Sequence, residues 1–206
     1  MDPGTGAGAP TATAADLVAA LIQARQTILP KRLAAPGPDA VQLEMILGAA
    51  AAAPDHGGRV PWRFVIVPDQ ARAKLAGVFA GALRERDASA TAQQLEAARE
   101  KAFRAPLLML AIVRLGPPGD EVPDLERLIS AGCAIQNMLL MATALGYGSA
   151  LTSGKALGSA GLRELFGLEA DEQALCFVNA GTVAARKSQL ARPTVAQYVT
   201  TLAVQP

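Results

Sequence analysis

Residues 105–113, APLLMLAIV, decide how the rest of this chain folds. The run carries no charge, is closed by Arg114 and the Gly-Pro-Pro of 116–118, and has the length of a strand. A strand without polar alternation is predicted to be covered on both faces, which makes it the centre of a sheet. Working outward, WRFVIVPD (62–69) is a second strand, rich in β-branched and aromatic residues and bounded by Pro61 and Pro68. YGSALTS (147–153) and ALCFVNAGTV (174–183) read as two more.

Helices fill the intervals. ADLVAALIQAR (15–25) has apolar side chains at helical spacing. Pro30, Pro36, Gly37 and Pro38 then force a shaped loop over 26–38. Asp39 is placed to cap a helix running to about Ala53, with Leu43, Ile46, Leu47 and Ala50 on one face and Pro54 at its end. Two helices fit 70–85 and 90–102, a short one fits GSAGLRELFG (158–167), and PDLERLISAGCAIQNMLLMATALG (123–146) predicts a long one. That long helix turns apolar all round, so burial on every side is expected, with Leu139 facing a second subunit. Helices outnumber strands and do not alternate strictly with them, which predicts an α+β layered domain around one central sheet.

Composition narrows the function. Nineteen basic and eighteen acidic residues leave a formal charge of +1, too small a field for a nucleic-acid partner. One histidine and two distant cysteines, Cys133 and Cys176 in apolar segments, supply neither a disulfide framework nor a cysteine/histidine zinc site. Residues 1–15 lack the basic start and apolar core of a secretory signal and read as a flexible tail ahead of one domain, 16–206. The cytoplasm is therefore the expected location. Leu128–Gly154 has no charge, yet Gln136, Asn137 and several Gly, Ser and Thr interrupt it, so no membrane span is expected.

Candidate chemistry sits in three places. RQTILPKR (25–32) groups Arg25, Thr27, Lys31 and Arg32, and GTVAARKSQLARP (181–193) offers Arg186, Lys187 and Arg192. Guanidinium forks, a hydroxyl and an ammonium together suit a phosphate, although each cluster alone also reads as a solvated basic turn. His56, before Gly57 and Gly58, can stack on or donate to a planar ligand, or merely cap the helix end. There is no G-x-S-x-G pattern and no second histidine for a relay. A chain poor in reactive groups but holding anion-binding clusters is the profile expected when a cofactor carries the chemistry.

These pieces resemble the nitroreductase family of FMN-dependent oxidoreductases over about residues 16–200. The Arg25-Gln26-Thr27 element, APDH followed by PWRF, FRAPLLMLAIV, SAGCAIQNMLLMATALGYGSALTSG and NAGTVAARKS occur in the family's order. The resemblance implies a nitroreductase-like α+β fold, with a mostly antiparallel sheet flanked by helices, and a homodimer with FMN in a cleft between subunits. It implies Arg25, Gln26 and Thr27 at the phosphate and ribityl end, Arg186 adding charge, and His56 approaching from across the interface. Leu151, Thr152 and Ser153 would line the ring, and Lys31 or Arg32 would reach its pyrimidine edge. Many relatives have a second arginine where this chain has Gln26, and the loop TILPKRL is about two residues longer than in some members. The implied reaction is ping-pong, with NADH or NADPH giving hydride to flavin N5 and a nitroaromatic or quinone-type acceptor taking it. The alternative is a flavin-binding or storage protein without productive turnover.

Overall fold

The computed structural model describes residues 12–186 and 191–203. Five strands form one sheet: β1 (Leu33–Ala34), β2 (Trp62–Ile66), β3 (Leu107–Arg114), β4 (Gly148–Thr152) and β5 (Glu172–Val183). β5 is the spine. It pairs with β3 and, past the end of β3, with β1 along one edge and with β4 along the other, and β2 closes the far side of β3. Every strand pairing is antiparallel, as expected, with one isolated parallel bridge from Thr27 to Ser149.

The central strand behaves as its sequence demands. All of Leu107–Val113 is buried, and its side chains alternate between two cores. Met109 and Ala111 face α2 (Ala40–Ala50) and α5 (Asp124–Ala144), where Ile46, Ala134 and Met138 pack. Leu108, Leu110 and Ile112 face α3 (Asp69–Arg86) and α6 (Ala160–Leu165), against Leu75 and Leu162. Each fully buried aliphatic side chain contributes ~1.5–3 kcal/mol relative to exposure.

Element ends differ from the sequence reading where tighter turns intervene. α2 stops at Ala50, and Ala51, Ala52 and Ala53 donate three residues back rather than four, closing the chain before Pro54. The helix expected over 90–102 divides into α4 (Ala92–Arg99) and a 3₁₀ turn, Glu100–Phe103, from which the chain enters β3. Arg72 ties down the end of that turn. It is 3% exposed, and its guanidinium donates to the carbonyls of Val67, Ala102, Ala105 and Pro106 at 2.7–3.1 Å, fixing the path from the turn into β3. Burial pulls its pKa below the ordinary arginine value.

Two helices depart from expectation in burial. α5 has one uncovered face in the single chain, where Leu125 and Ile129 are 68% and 55% exposed. Leu139, expected at a subunit interface, is instead 6% exposed and packed in the core with α2. α1 (Ala14–Ala24) is capped by a reciprocal Thr13–Asp16 box, yet none of its residues is buried. The expected tail lies outside the described residues as far as residue 11, and α1 takes up Ala14 and Ala15.

Candidate functional site

The segment after α1 is laid against the outer edge of β4. Ile28 N–H donates to the Ser149 carbonyl at 2.9 Å, next to the Thr27–Ser149 bridge. Gly148 permits this approach: a Cβ there would meet Val183 Cγ2 at 2.7 Å and Leu33 Cδ2 at 2.9 Å. The C-terminal arm returns to the same place, where Arg192 donates to the Arg25 carbonyl at 2.8 Å and to the Gln23 carbonyl at 3.4 Å. A cation on the last carbonyls of a helix opposes the negative end of its dipole. Arg192 therefore secures the α1 terminus, and Lys187 lies outside the described residues.

Two clefts flank this seam. The smaller, of about 140 Å³, is lined by Gln26, Ile28, Thr143, Tyr147 and Arg186 among others, so the segment after α1 meets the turn after β5 there through Gln26, which is neutral, and Arg186. Arg25 stands one residue away, half-buried, and Thr27 is exposed. The larger cleft, of about 640 Å³, lies on the α3 side of the sheet. Phe79, Leu83 and Leu157 give it an apolar wall; Thr152 and Ser153 bring hydroxyls from the end of β4. Lys31 lines it, whereas Arg32 is half-buried one residue on, its carbonyl accepting from Ala184 N–H at 2.9 Å. Leu151 alternates to the opposite face of β4, 43% exposed, so only its backbone faces the Thr152 side.

Asn179 fixes the Thr152 hydroxyl. Its amide nitrogen lies 3.3 Å from the carbonyls of Ala150 and Phe177, which can only accept, so nitrogen rather than oxygen must face Thr152 Oγ1 at 3.0 Å. Thr152 Oγ1 is thus an acceptor toward Asn179, and its own hydrogen is left for another partner. Lys101 and Arg104, carried on the turn that Arg72 holds, complete the cationic side of the cleft.

His56 stands apart from both clefts in its own chain. Its Nδ1 is 2.8 Å from Glu126 Oε2 at the start of α5, with both side chains largely exposed. Gly57 and Gly58 take φ of 72° and 63° without cost, but Val60, a β-branched residue, is strained at φ of 46°. Asp55 Oδ2 accepts from Val60 N–H at 2.6 Å and holds that conformation. Asp120 ties the loop to α5 through Arg59 at 3.2 Å and Arg127 at 3.1 Å, and its pKa is lowered chiefly by the Val122 N–H it accepts.

The Nitroreductase family profile matches residues 22–182. The chain belongs to the nitroreductase family. It is 36% identical over 152 residues to a Haemophilus influenzae protein named "Putative NAD(P)H nitroreductase", covering 74% of this chain and 82% of that one. Its fold is similar to that of a nitroreductase-like family protein from Bacillus cereus, with a TM-score of 0.79, 18% identity, and 95% and 99% of the two chains covered. It is likewise similar to the NADPH:FMN oxidoreductase from Vibrio harveyi, with a TM-score of 0.70, 19% identity, and 91% and 78% covered.

In this nitroreductase-family chain the sequence reading missed Lys101, Arg104 and Asn179. Lys101 and Arg104 read as ordinary charges of a helix, because their approach to β4 depends on the turn that Arg72 shapes. Asn179 did carry a signal. It is a lone amide inside an otherwise apolar strand, and such a group must find partners. Cys176 behaves as the composition implied: burial pushes its thiol up to about 11, so no nucleophile is poised there. Among the described residues no group of three or more His, Cys, Asp or Glu could hold a metal ion, and no helix is long and apolar enough to cross a membrane.

Proposed function

We propose that this chain is an FMN-dependent NAD(P)H oxidoreductase that serves nitroaromatic or quinone-type acceptors by ping-pong use of one cleft. The observation that carries the reading is the 640 Å³ cleft, in which an apolar wall, two hydroxyls and the cations Lys31, Lys101 and Arg104 converge. A flat heteroaromatic ring with a polar, electron-accepting edge needs that combination. Its phosphate needs a separate anion clamp, and Arg25, Gln26, Thr27 and Arg186 supply donors of the right kind around the neighbouring cleft. The residues present therefore fit the cofactor.

FMN, when bound, supplies the hydride and electron chemistry that no side chain of this chain offers. The protein's share is position and field. Lys31, Lys101 and Arg104 offset negative charge that collects at the pyrimidine edge on reduction, an effect magnified where water is excluded. Thr152, oriented by Asn179, presents its hydroxyl hydrogen, and Ser153 adds a second donor. The apolar wall holds a planar partner in stacking geometry.

The reading includes a homodimer. Leu17 and Ile22 of α1, Val41 of α2, and Leu125 and Ile129 of α5 are all exposed in the single chain. An 11-residue helix with no buried residue is too short to persist on its own, so α1 needs a covering surface. A second copy of α5 and α1 would cover it and bring the partner's exposed His56 toward the larger cleft.

The test is spectroscopic. Protein equilibrated with FMN and dialysed should stay yellow, and NADPH or NADH should bleach it anaerobically within the mixing time. Protein that stays yellow under both reductants would instead be a flavin-binding protein. Arg25→Ala should weaken FMN retention by ~1.5–3 kcal/mol, the worth of a hydrogen bond to a charged group. Parent and variant with the same FMN affinity would remove Arg25 from the site, and parent protein that retains no FMN would end the proposal.

A further inference from the structure

The whole chain is nearly neutral, with 19 basic and 18 acidic residues, but the larger cleft is not. Lys31, Arg86, Lys101, Arg104 and Lys155 line it, and its described lining residues include no aspartate or glutamate. Among the described residues, one ion pair within 4 Å involves any of the five: Arg104 to Glu100 at 3.8 Å, with Glu100 62% exposed. Cations gathered around a cavity of about 640 Å³ repel one another, and their combined field, only partly offset by Glu100 beside Arg104 and Asp87 beside Arg86, favours whatever anion enters.

FMN does not account for all of them. Its phosphate has its own donors at the smaller cleft, and the pyrimidine edge presents a single developing charge, for which Lys31, Lys101 and Arg104 suffice. Arg86, in the last turn of α3, and Lys155, in the 3₁₀ turn after β4, are left over. They reach the cleft from two different elements and are exposed. We infer that Arg86 and Lys155 select an anionic co-substrate, a molecule carrying a phosphate or carboxylate outside its reacting part, for the cleft that FMN shares. The inference rests on the flavin reading for the reaction served, and on the cations alone for the ligand's charge.

Two sources of such an anion are separable: the 2′-phosphate that distinguishes NADPH from NADH, and a carboxylate on the acceptor. Calorimetric titrations of the parent and the Arg86→Gln/Lys155→Gln double variant, at low and physiological salt, would use NADPH against NADH and p-nitrobenzoate against p-nitrobenzyl alcohol. The parent should prefer the member bearing the extra anionic group, the 2′-phosphate or the carboxylate, in at least one pair, by about 5–10-fold for each cation facing it. That preference should shrink with salt and fall close to unity in the double variant, whose melting curve should match the parent's. Preference within the nucleotide pair identifies the phosphate; preference within the nitro pair identifies the acceptor's carboxylate. Equal affinity within both pairs in the parent, or an undiminished preference in the variant, overturns the inference. The nucleotide titrations are read on the chain without FMN, since the loaded chain would oxidise the nucleotide, and the nitro titrations on the chain with and without FMN. A chain that prefers these anions but takes up no flavin would end the flavin proposal and leave this one standing.

Discussion

Glu172 opens β5 with its side chain 2% exposed and still charged, because Arg63 approaches it twice, at 2.6 and 2.7 Å. Arg63, with help from the Glu169 N–H and Arg114, holds the Glu172 carboxyl down at about 2. Its unfolded value is near the ordinary 4.5, so the contribution to stability is complete above that pH and is lost as the pH falls toward 2. Arg63 is 38% exposed and partly screened, which limits the effect to ~2 kcal/mol. Glu172→Gln should therefore lower the urea midpoint at neutral pH and flatten the loss of stability between pH 4.5 and 2. An acid limb as steep in the variant as in the parent would refute the assignment. Neither this pair nor the Arg72 staple was legible beforehand. Glu172 and Arg63 lie 109 positions apart, and Arg72 spends its donors on carbonyls whose placement the sequence does not state.

At the scale of elements, pattern reading succeeds where burial has one cause and fails where it has two. β3 was legible because an uncharged run of strand length has one explanation, two covering layers. α5 was legible as a helix but not in its faces, since an apolar residue on it serves either the core of its own chain or a contact with another. Leu139 and Ile129 divide on this point, the first 6% and the second 55% exposed. Leu139→Ala should cost ~2–4 kcal/mol of unfolding free energy whatever the assembly state, since it leaves a cavity against α2. Ile129→Asp should convert a sedimenting dimer to monomer and remove the concentration-dependent part of the stability, its own exposed position adding no more than ~0.5 kcal/mol to the loss. Ultracentrifugation combined with chemical unfolding separates the two effects, and a dimer unmoved by Ile129→Asp would place the interface elsewhere.

For the whole molecule, the proposed phosphate end of the site could be sketched from sequence because Arg25, Gln26, Thr27 and Arg186 lie in short motifs whose order along the chain resembles the family's. The cationic wall of the larger cleft could not, because Lys101, Arg104 and Lys155 meet Lys31 and Thr152 through the packing of α3, the 3₁₀ turns and β4, and no spacing encodes that meeting. The same difference bears on stability. α1 has no buried residue and the C-terminal arm lies exposed, so in a single chain only light contacts, such as those of Arg192 with the Gln23 and Arg25 carbonyls, give these two parts a reason to hold their positions. If a second copy supplies that reason, folding and association are one equilibrium, and the melting temperature must depend on protein concentration. Each tenfold dilution should then cost about 1.4 kcal/mol of dimer, or about 0.7 kcal/mol per chain, which lowers the melting temperature by roughly 1–3 °C. Saturating FMN should raise every point of the dilution series, because a ligand bound between copies favours the folded dimer over unfolded chains. A melting temperature constant across a thousandfold dilution, with and without FMN, would mean that the exposed faces of α1 and α5 are stable in water as they stand, and the proposed intersubunit position of His56 would go with the dimer.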